Sequence, residues 1–180
     1  MDIRSFQIKI DKKEAEHMAL DKGGFLWNAV FSDRNLTKMK RHFIEFKLMT
    51  FEATYQPTWI ERYFKHKTGT RKQLITMLAN GSTGSVAWVD SLPEVVTIED
   101  VEDDDIQLSD QEEDLLIKRG KKIATQVIHR HIGGVPNLEL MEIESVFRPY
   151  WIAFYGEVIV GNKVRYKPIA ADGCGTFRTR

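Results

Sequence analysis

The order of apolar and polar positions predicts alternating strands and helices in the first part of the chain. Apolar residues alternate with polar ones over 3–10, which indicates a strand, and the charged residues 11–22 suit a short helix. Apolar residues then recur every three or four positions over 33–46, so we predict a helix there and a strand over 47–55. The residues that set this helical spacing are Leu36, Met39, Phe43 and Phe46.

The clearest local pattern is a β-hairpin in the middle of the chain. Residues 71–79 alternate loosely between apolar and polar, and 85–89 form a second apolar run. Between them, the residues 80–84 (Asn-Gly-Ser-Thr-Gly) can adopt the left-handed backbone conformations that a tight turn needs. The stretch 58–66 fits either a helical turn or another strand.

The last third of the chain opens with a helix and continues with strands. Ser109 and Glu112 have the spacing of a capping box, so we predict a helix over 110–131 with Ser109 as its N-cap. Its buried stripe is predicted to contain Leu116, Ile123 and Val127, with Leu115 and Ile128 as further candidate members. The strands that follow are predicted over 140–160, 164–171 and 176–178, with turns at 161–162 and 172–175.

Together these elements predict an α+β protein with two related halves, each a helix packed on an antiparallel sheet. Helix 33–46 corresponds to the helix over 110–131, and the turn after residue 79 corresponds to the turn after residue 171. An acidic segment joins the halves. The predicted domains are an N-terminal half over 1–92, an acidic linker over 93–109 and a C-terminal half over 110–180, and all three also suit one compact domain.

The second half resembles a known repeat family. A helix precedes a strand with the sequence Trp-Ile-Ala-Phe-Tyr at 151–155, and an apolar-Asp-Gly-x-Gly turn at 171–175 closes the unit. This arrangement, over residues 110–180, is similar to the PepSY-type repeat, a small α+β unit found in protease propeptides and in many bacterial proteins. The resemblance implies a module that regulates a peptidase or binds a protein, rather than a catalyst.

Composition excludes several classes of protein. The 180 residues are 42% hydrophobic and 11% aromatic, and 26 Lys and Arg balance 26 Asp and Glu, which argues against a disordered chain, a collagen-like chain or a globally basic nucleic-acid binder. One cysteine excludes an internal disulfide framework and a Cys-rich zinc site. The charged start has no signal-peptide pattern, and no apolar run reaches membrane-helix length, so we expect a cytoplasmic protein without a membrane partner.

The neutral total hides a strongly acidic segment. Residues 90–114 contain 12 Asp and Glu and no Lys or Arg, whereas the stretches on either side are basic. Like charges at this density repel, so we expect an extended, solvated linker. Two other interpretations remain open: the segment imitates nucleic-acid phosphate, or it docks on a basic face of the same protein. The residue spacing of a calcium-binding EF-hand loop is absent.

A basic and aromatic cluster over 59–72 is the sequence feature most typical of nucleic-acid binding. Cations meet phosphates and flat rings stack on bases, so interleaved residues of both kinds suit a single-stranded nucleic acid. The alternative is a solvated face whose aromatics belong to the core, and the neutral total charge favours it. The residues of the candidate site are Trp59, Arg62, Tyr63, Lys65, Lys67, Arg71 and Lys72.

Cys174, His129 and His131 are the candidate reactive groups. Cys174 lies in a glycine turn that exposes its thiol, but the neighbouring Asp172 disfavours a thiolate. His129 and His131 point apart on a helix, so they cannot share a metal ion. We therefore predict no metal and no cofactor, and a thiol-dependent enzyme built around Cys174 is the third functional interpretation.

The most apolar tract of the chain supplies the favoured functional site. Both faces of a strand over 150–155 carry bulky side chains, so one face is expected to meet a partner. The favoured function is therefore a non-enzymatic interaction or regulatory protein of bacterial type, which binds a protein, a peptide or a second copy of itself. The residues predicted to contact the partner are Tyr150, Trp151, Phe154 and Tyr155.

Overall fold

The computed structural model describes residues 1–20, 36–55, 63, 71–131, 136–156 and 165–174. Across these residues, eight strands form one large sheet accompanied by two helices. The α+β character predicted from the sequence is therefore confirmed. The relation between two repeated halves has no confirmation and stays a prediction.

The strands range from two to twenty residues in length. In chain order the elements are β1 (Ile3–Phe6), α1 (Lys12–Leu20), β2 (Leu36–Tyr55), β3 (Arg71–Asn80), β4 (Val86–Trp88), β5 (Val95–Ile98), β6 (Ile106–Gln107), α2 (Glu113–His131), β7 (Asn137–Tyr155) and β8 (Arg165–Ala170). A 3-10 turn, Asp103–Asp105, precedes β6.

The chain divides into two compact units, each assembled from separate stretches. The first unit contains the described residues of Met1–Ile44, Pro93–Gln107 and Phe147–Phe177, and the second contains those of Glu45–Leu92 and Leu108–Val146. The sequence-based domains 1–92, 93–109 and 110–180 instead follow chain order, and they stay a prediction.

In the first unit, short strands pair across long sequence separations. β1 pairs antiparallel with β5 and meets β7 in parallel at Ser5 and Phe147. β7 pairs antiparallel with β8, and β6 pairs in parallel with the start of β2. Ala15 and Ala19 bring α1 close to Ala153, Tyr155 and Ile169. A second cluster has the buried members Ile3, Phe43, Val101 and Phe147.

In the second unit, β2 pairs with β3 over ten residue pairs, and β3 pairs with the short strand β4. Side chains alternate along both long strands, so Met49 and Phe51 of β2 lie on the same face as Met77 of β3. Helix α2 covers this face with Leu116, Ala124 and Ile128. A Cβ at Gly120 would lie 2.8 Å from Cε of Met49, which shows how closely helix and sheet approach.

The helix predicted over 33–46 is wrong, because residues 36–46 form the first half of strand β2. The apolar residues in this stretch are three or four positions apart, as on a helix face, and this spacing led to the wrong prediction. Leu36, Phe43 and Phe46 all lie in the strand. The strand conformation is set by long-range partners: Phe43 lies beside Ile106 of β6, and Phe46 opposite Asn80 of β3. Tertiary pairing therefore overrides the local pattern.

The start of the second helix also differs from the sequence-based expectation. Helix α2 begins at Glu113, so Ser109 is not its N-cap and makes no capping box with Glu112. Instead, the Ser109 hydroxyl contacts the carbonyl oxygens of Gly81 (3.2 Å) and Gln111 (3.0 Å). The predicted helix itself is confirmed over Glu113–His131.

The acidic segment contains regular structure in place of the extended, solvated chain that its charge suggests. Strand β5 pairs with β1, β6 pairs with β2, and Val101 between them is buried. Lys40 Nζ lies 2.6 Å from Asp105 Oδ1. The apolar residues interspersed among the carboxylates thus tie this segment into the first unit.

The other predicted elements agree with the structure where it describes them. The first strand is confirmed over Ile3–Phe6, the short helix over Lys12–Leu20, the hairpin as β3 and β4, and the two late strands as β7 and β8. The predictions for 58–62, 64–66, 161–162 and 176–178 lie outside the described residues.

Candidate functional site

The aromatic tract of β7 alternates as predicted, and much of it is interior. Trp151, Ala153 and Tyr155 share one face and pack in the cluster beneath α1. Tyr150 is also buried, whereas Trp151 and Phe154 are partly exposed. Trp151 and Phe154 lie on opposite faces of the strand, so the structure does not bring them together in one surface, and the partner-binding role of all four residues stays a prediction.

Polar contacts explain why large aromatic side chains are held inside the first unit. Trp151 Nε1 donates to the carbonyl oxygen of Ile10 at 2.9 Å, and the Tyr155 hydroxyl donates to that of Ala19 at 2.8 Å. Burial raises the pKa of both Tyr155 and Tyr150. These aromatics anchor α1 and the chain before it, as buried Trp and Tyr do when their polar atoms find partners.

Tyr150 lies beneath a buried ion pair. Arg148 Nε is 2.7 Å from Asp172 Oδ2, and its Nη2 is 3.1 Å from Asp172 Oδ1. Burial opposes the charge of Arg148, but the hydrogen bond to Asp172 outweighs it and the pKa of the guanidinium is raised. The same guanidinium donates to the carbonyl oxygen of Cys174, so it holds the turn that follows β8.

That turn contains the predicted reactive cysteine. Cys174 is exposed, and its backbone N–H donates to Asp172 Oδ1 at 3.0 Å. The carboxylate is thus committed to the arginine and the turn rather than to the thiol. The predicted role of Cys174 in a thiol-dependent enzyme has no further support from these contacts.

Only part of the predicted nucleic-acid cluster falls within the described residues. Trp59, Arg62, Lys65 and Lys67 lie outside them, while Tyr63 is highly exposed. Arg71 and Lys72 are exposed at the start of β3, and Lys72 Nζ lies 2.8 Å from Glu52 Oε1. The structure therefore brings together Arg71 and Lys72 on one strand, and the nucleic-acid interpretation stays a prediction.

A cleft of about 420 Å³ opens in the second unit between the last turns of α2 and the strands β3 and β4. Val127 and Ile128 form its helix side. Its volume is in the range of small-molecule and peptide side-chain sites. The strand side is lined by Gln73, Leu74, Ile75, Thr76, Trp88, Val89 and Asp90.

The cleft is adjacent to an unpaired length of strand. β4 covers β3 over Met77–Ala79, and one further bond joins Val89 N–H to the carbonyl oxygen of Thr76 at 3.0 Å. Beyond Thr76, residues 71–75 have no strand partner on this side within the described part of the chain. Trp88 lies on the same face as Ile75 and is 37% exposed, whereas the side chain of Leu74 is 63% exposed on the opposite face of β3.

The direction of the backbone groups follows from the hairpin ladder. Val89 bonds to Thr76, and Asn80 N–H bonds to Ser85, so these even-numbered residues of β3 face β4. The N–H and C=O groups of one residue point to the same side of an antiparallel strand, and those of the next residue point to the opposite side. The backbone groups of Lys72 and Leu74 therefore point to the unpaired edge.

A polar network holds the turn of this hairpin and the start of α2. Glu45 Oε1 accepts from Ser145 Oγ at 2.8 Å and lies 3.0 Å from Lys47 Nζ, while Oε2 accepts the Ser109 N–H at 2.9 Å. Gly81 N–H donates to the Glu45 carbonyl oxygen at 3.0 Å. A Cβ at Gly81 would lie 2.7 Å from that oxygen, so only glycine fits.

The Lys47 and Ser145 contact resembles a nucleophile–base pair, but its electrostatics favour a structural role. Lys47 Nζ is 2.8 Å from Ser145 Oγ, with Glu45 at 3.0 Å and Glu113 at 3.7 Å. The ammonium of Lys47 is thus engaged by two carboxylates as well as by Ser145, which is the contact pattern of a structural ion-pair network. The network therefore fixes β2, β7 and the approach to α2.

Glu45 makes stability depend on pH. Burial alone would raise its pKa, but donation from Ser109, Lys47 and Ser145 outweighs burial and holds the pKa below its ordinary value of 4.5. The stabilisation is complete above the pKa of the unfolded chain and is lost as pH falls through the lower pKa of the folded chain. Glu45→Gln should cost about 1.5 kcal/mol or more at pH 7 and reduce the loss of stability between pH 5 and pH 3.

Urea unfolding at pH 7 and in acid tests this expectation, with the exposed Glu142→Gln as the matched control. An unchanged acid dependence in Glu45→Gln would show that other groups govern it.

Sequence reasoning missed the cleft because its lining comes from three separate segments. One signal was present: Leu74 interrupts the polar side of an alternating strand, and Trp88 follows the same hairpin. Nothing in the linear order of residues brings Val127 of α2 to them. Glu45 and Arg148 belong to no sequence motif, since Ser109 and Ser145 (partners of Glu45) and Asp172 (partner of Arg148) lie far away in sequence.

Comparisons of the chain with known proteins found no match. No protein-family model matches it, and no curated protein or solved structure matches it. The resemblance to PepSY-type repeats therefore stays a prediction.

Within the described residues, neither helix combines the length and the apolarity needed to cross a bilayer. In the same parts of the chain, no three His, Cys, Asp or Glu side chains are grouped as metal ligands.

Proposed function

We propose that this chain is an interaction module that binds an extended peptide segment of another protein as an added strand beside β3. The observation that carries the proposal is the meeting of an unpaired strand edge with an apolar cleft at residues 71–76. The sequence also predicted a protein or peptide partner, but it placed the contact on β7, whereas we propose a site beside β3.

Strand addition would use both parts of the site, the unpaired edge of β3 and the cleft beside it. The edge-facing backbone groups of Lys72 and Leu74 supply hydrogen bonds to any extended chain, which give affinity without sequence preference. Side chains of a strand alternate, so every second side chain of the peptide would face the cleft, where Ile75, Trp88 and Val127 provide an apolar lining. Specificity then comes from the cleft and affinity from the edge.

The length of the available edge suits a short peptide. β4 ends at Trp88, and the peptide would continue along β3 from Thr76 towards Arg71. An exposed edge with apolar side chains is otherwise a risk for aggregation, and natural proteins usually block such edges. A partner strand would remove that risk by covering Leu74.

Leu74→Pro tests the proposal at the backbone. Proline removes the Leu74 N–H, which faces the free edge rather than β2, so the ladder with β2 is kept. Selecting random twelve-residue peptides displayed on phage against the wild-type chain supplies the probe. We expect a selected peptide, measured by fluorescence anisotropy, to bind Leu74→Pro about tenfold more weakly or worse, since a hydrogen bond is lost and the proline ring blocks the edge.

Leu74→Ala is the control, because it shortens the side chain but keeps the N–H, and it should retain most of the affinity. Circular dichroism establishes that both variants are folded. If no peptide is selected, or if Leu74→Pro binds the selected peptide as tightly as the wild type, the proposed function is wrong.

A further inference from the structure

The cleft beside β3 has one charged group in its lining. Asp90 is exposed, and no Lys, Arg or His is among the lining residues. The other polar groups there, Gln73 and Thr76, are neutral. A ligand group in the cleft therefore has apolar side chains and one carboxylate among its neighbours.

Lys72, the basic residue that precedes the β3 lining of the cleft, is already paired. Its Nζ lies 2.8 Å from Glu52 Oε1. The hydrogen bond to Glu52 raises the pKa of Lys72, and the nearby Glu139 charge contributes in the same direction. Within the described lining of the cleft, the charge is that of the Asp90 carboxylate.

We propose that the side chain bound in this cleft is that of a lysine or arginine in the added peptide strand. Both residues have a long aliphatic stem and a cationic end, and such side chains bury the stem against apolar surface while the charge stays in water. Here the stem lies against Ile75, Trp88 and Val127, and the cation reaches Asp90. The indole of Trp88 also suits a cation, since aromatic faces attract positive charge.

This inference rests on the proposed function, and it narrows the partner from any extended peptide to a basic one. A purely apolar side chain would fill the same volume but leave the Asp90 carboxylate without a counter-charge. An acidic side chain would place two carboxylates together in the cleft. The order of preference at this position is therefore basic, then apolar, then acidic.

Three synthetic peptides separate these cases. Each has the sequence acetyl-Thr-Val-Xaa-Val-Thr-amide, with lysine, norleucine or glutamate at Xaa, so that lysine and norleucine share one stem length. Because Asp90 is exposed, the ion pair contributes modestly, and we expect lysine to bind about threefold to fivefold more tightly than norleucine at low salt. Glutamate should bind most weakly, and high salt should reduce the difference between lysine and norleucine.

Asp90→Asn should remove the preference for lysine and leave norleucine binding unchanged. Asp110→Asn, an exposed carboxylate outside the cleft lining, is the control and should keep the preference. If norleucine binds wild type as tightly as lysine does, the inference fails while peptide binding stands. If none of the three peptides binds and Leu74→Pro has no effect on a phage-selected peptide, the proposed function fails as well.

Discussion

Replacing Arg148 with methionine is expected to lower the free energy of unfolding by about 3–5 kcal/mol. The arginine and Asp172 side chains are 6% and 1% exposed, and two hydrogen bonds join them. Methionine fills a similar volume but leaves the Asp172 carboxylate buried without its partner. The cost is therefore the penalty of an uncompensated buried charge rather than the strength of the original pair.

Urea denaturation of three variants separates the penalty of the unpaired Asp172 charge from the loss of the arginine's own contacts. Arg148→Met alone should show the full loss, whereas Arg148→Met combined with Asp172→Leu should recover most of it, because no buried charge remains. Arg165→Met changes an exposed arginine of the same unit and should cost less than about 1 kcal/mol. A double variant as unstable as the single one would show that the guanidinium acts mainly by holding the turn at Cys174.

The second large effect is expected at Leu116, which is fully buried against the sheet in the core of the second unit. Leu116→Ala removes apolar contacts and leaves a cavity, so it should destabilise the protein by about 2–5 kcal/mol. The neighbouring Leu115 is 38% exposed. Leu115→Ala makes the same chemical change with the same helix propensity, and it should cost less than about 1 kcal/mol.

Comparing the thermal and urea unfolding of these two variants isolates the effect of burial on stability, because both substitutions change helix propensity equally. Equal losses in the two variants would contradict the position of Leu116 against the sheet. A loss at Leu116 near the upper end of the range would show that the close packing around Gly120 leaves the helix little freedom to relax.

Elements with strong local chemistry were predictable from the sequence. The hairpin of β3 and β4 follows from its turn, where Asn80 Oδ1 accepts N–H groups of Ser82 and Thr83 at 2.9 Å each. The helix α2 follows from a long amphipathic pattern. Both depend on residues close together in the chain, which sequence periodicity can detect.

Elements that depend on distant partners were harder to predict. The first half of β2 carries a helical spacing, and its strand conformation comes from pairing with residues more than thirty positions away, such as Asn80 and Ile106. The acidic segment contains Val101, whose burial is favourable enough to hold a charged stretch in place. Charge density alone does not reveal such an anchor.

The contrast between local and long-range determinants also holds for the candidate site. Sequence reasoning predicted a peptide or protein partner and placed its contact on β7, where Tyr150 and Tyr155 are buried. Their hydroxyl and ring contacts become visible only once the chain is folded. The cleft beside β3 depends on the meeting of Trp88 with Val127, which no linear motif records.

The Asn80 turn has a consequence for the chemical ageing of the protein. An Asn-Gly sequence loses ammonia when the glycine nitrogen attacks the asparagine side-chain carbonyl. Here the Gly81 nitrogen donates to the Glu45 carbonyl oxygen at 3.0 Å, and Asn80 Oδ1 accepts two backbone N–H groups. Both reacting groups are engaged in other hydrogen bonds in the folded chain, so we expect deamidation at this site to be slower in the folded chain than in the unfolded one.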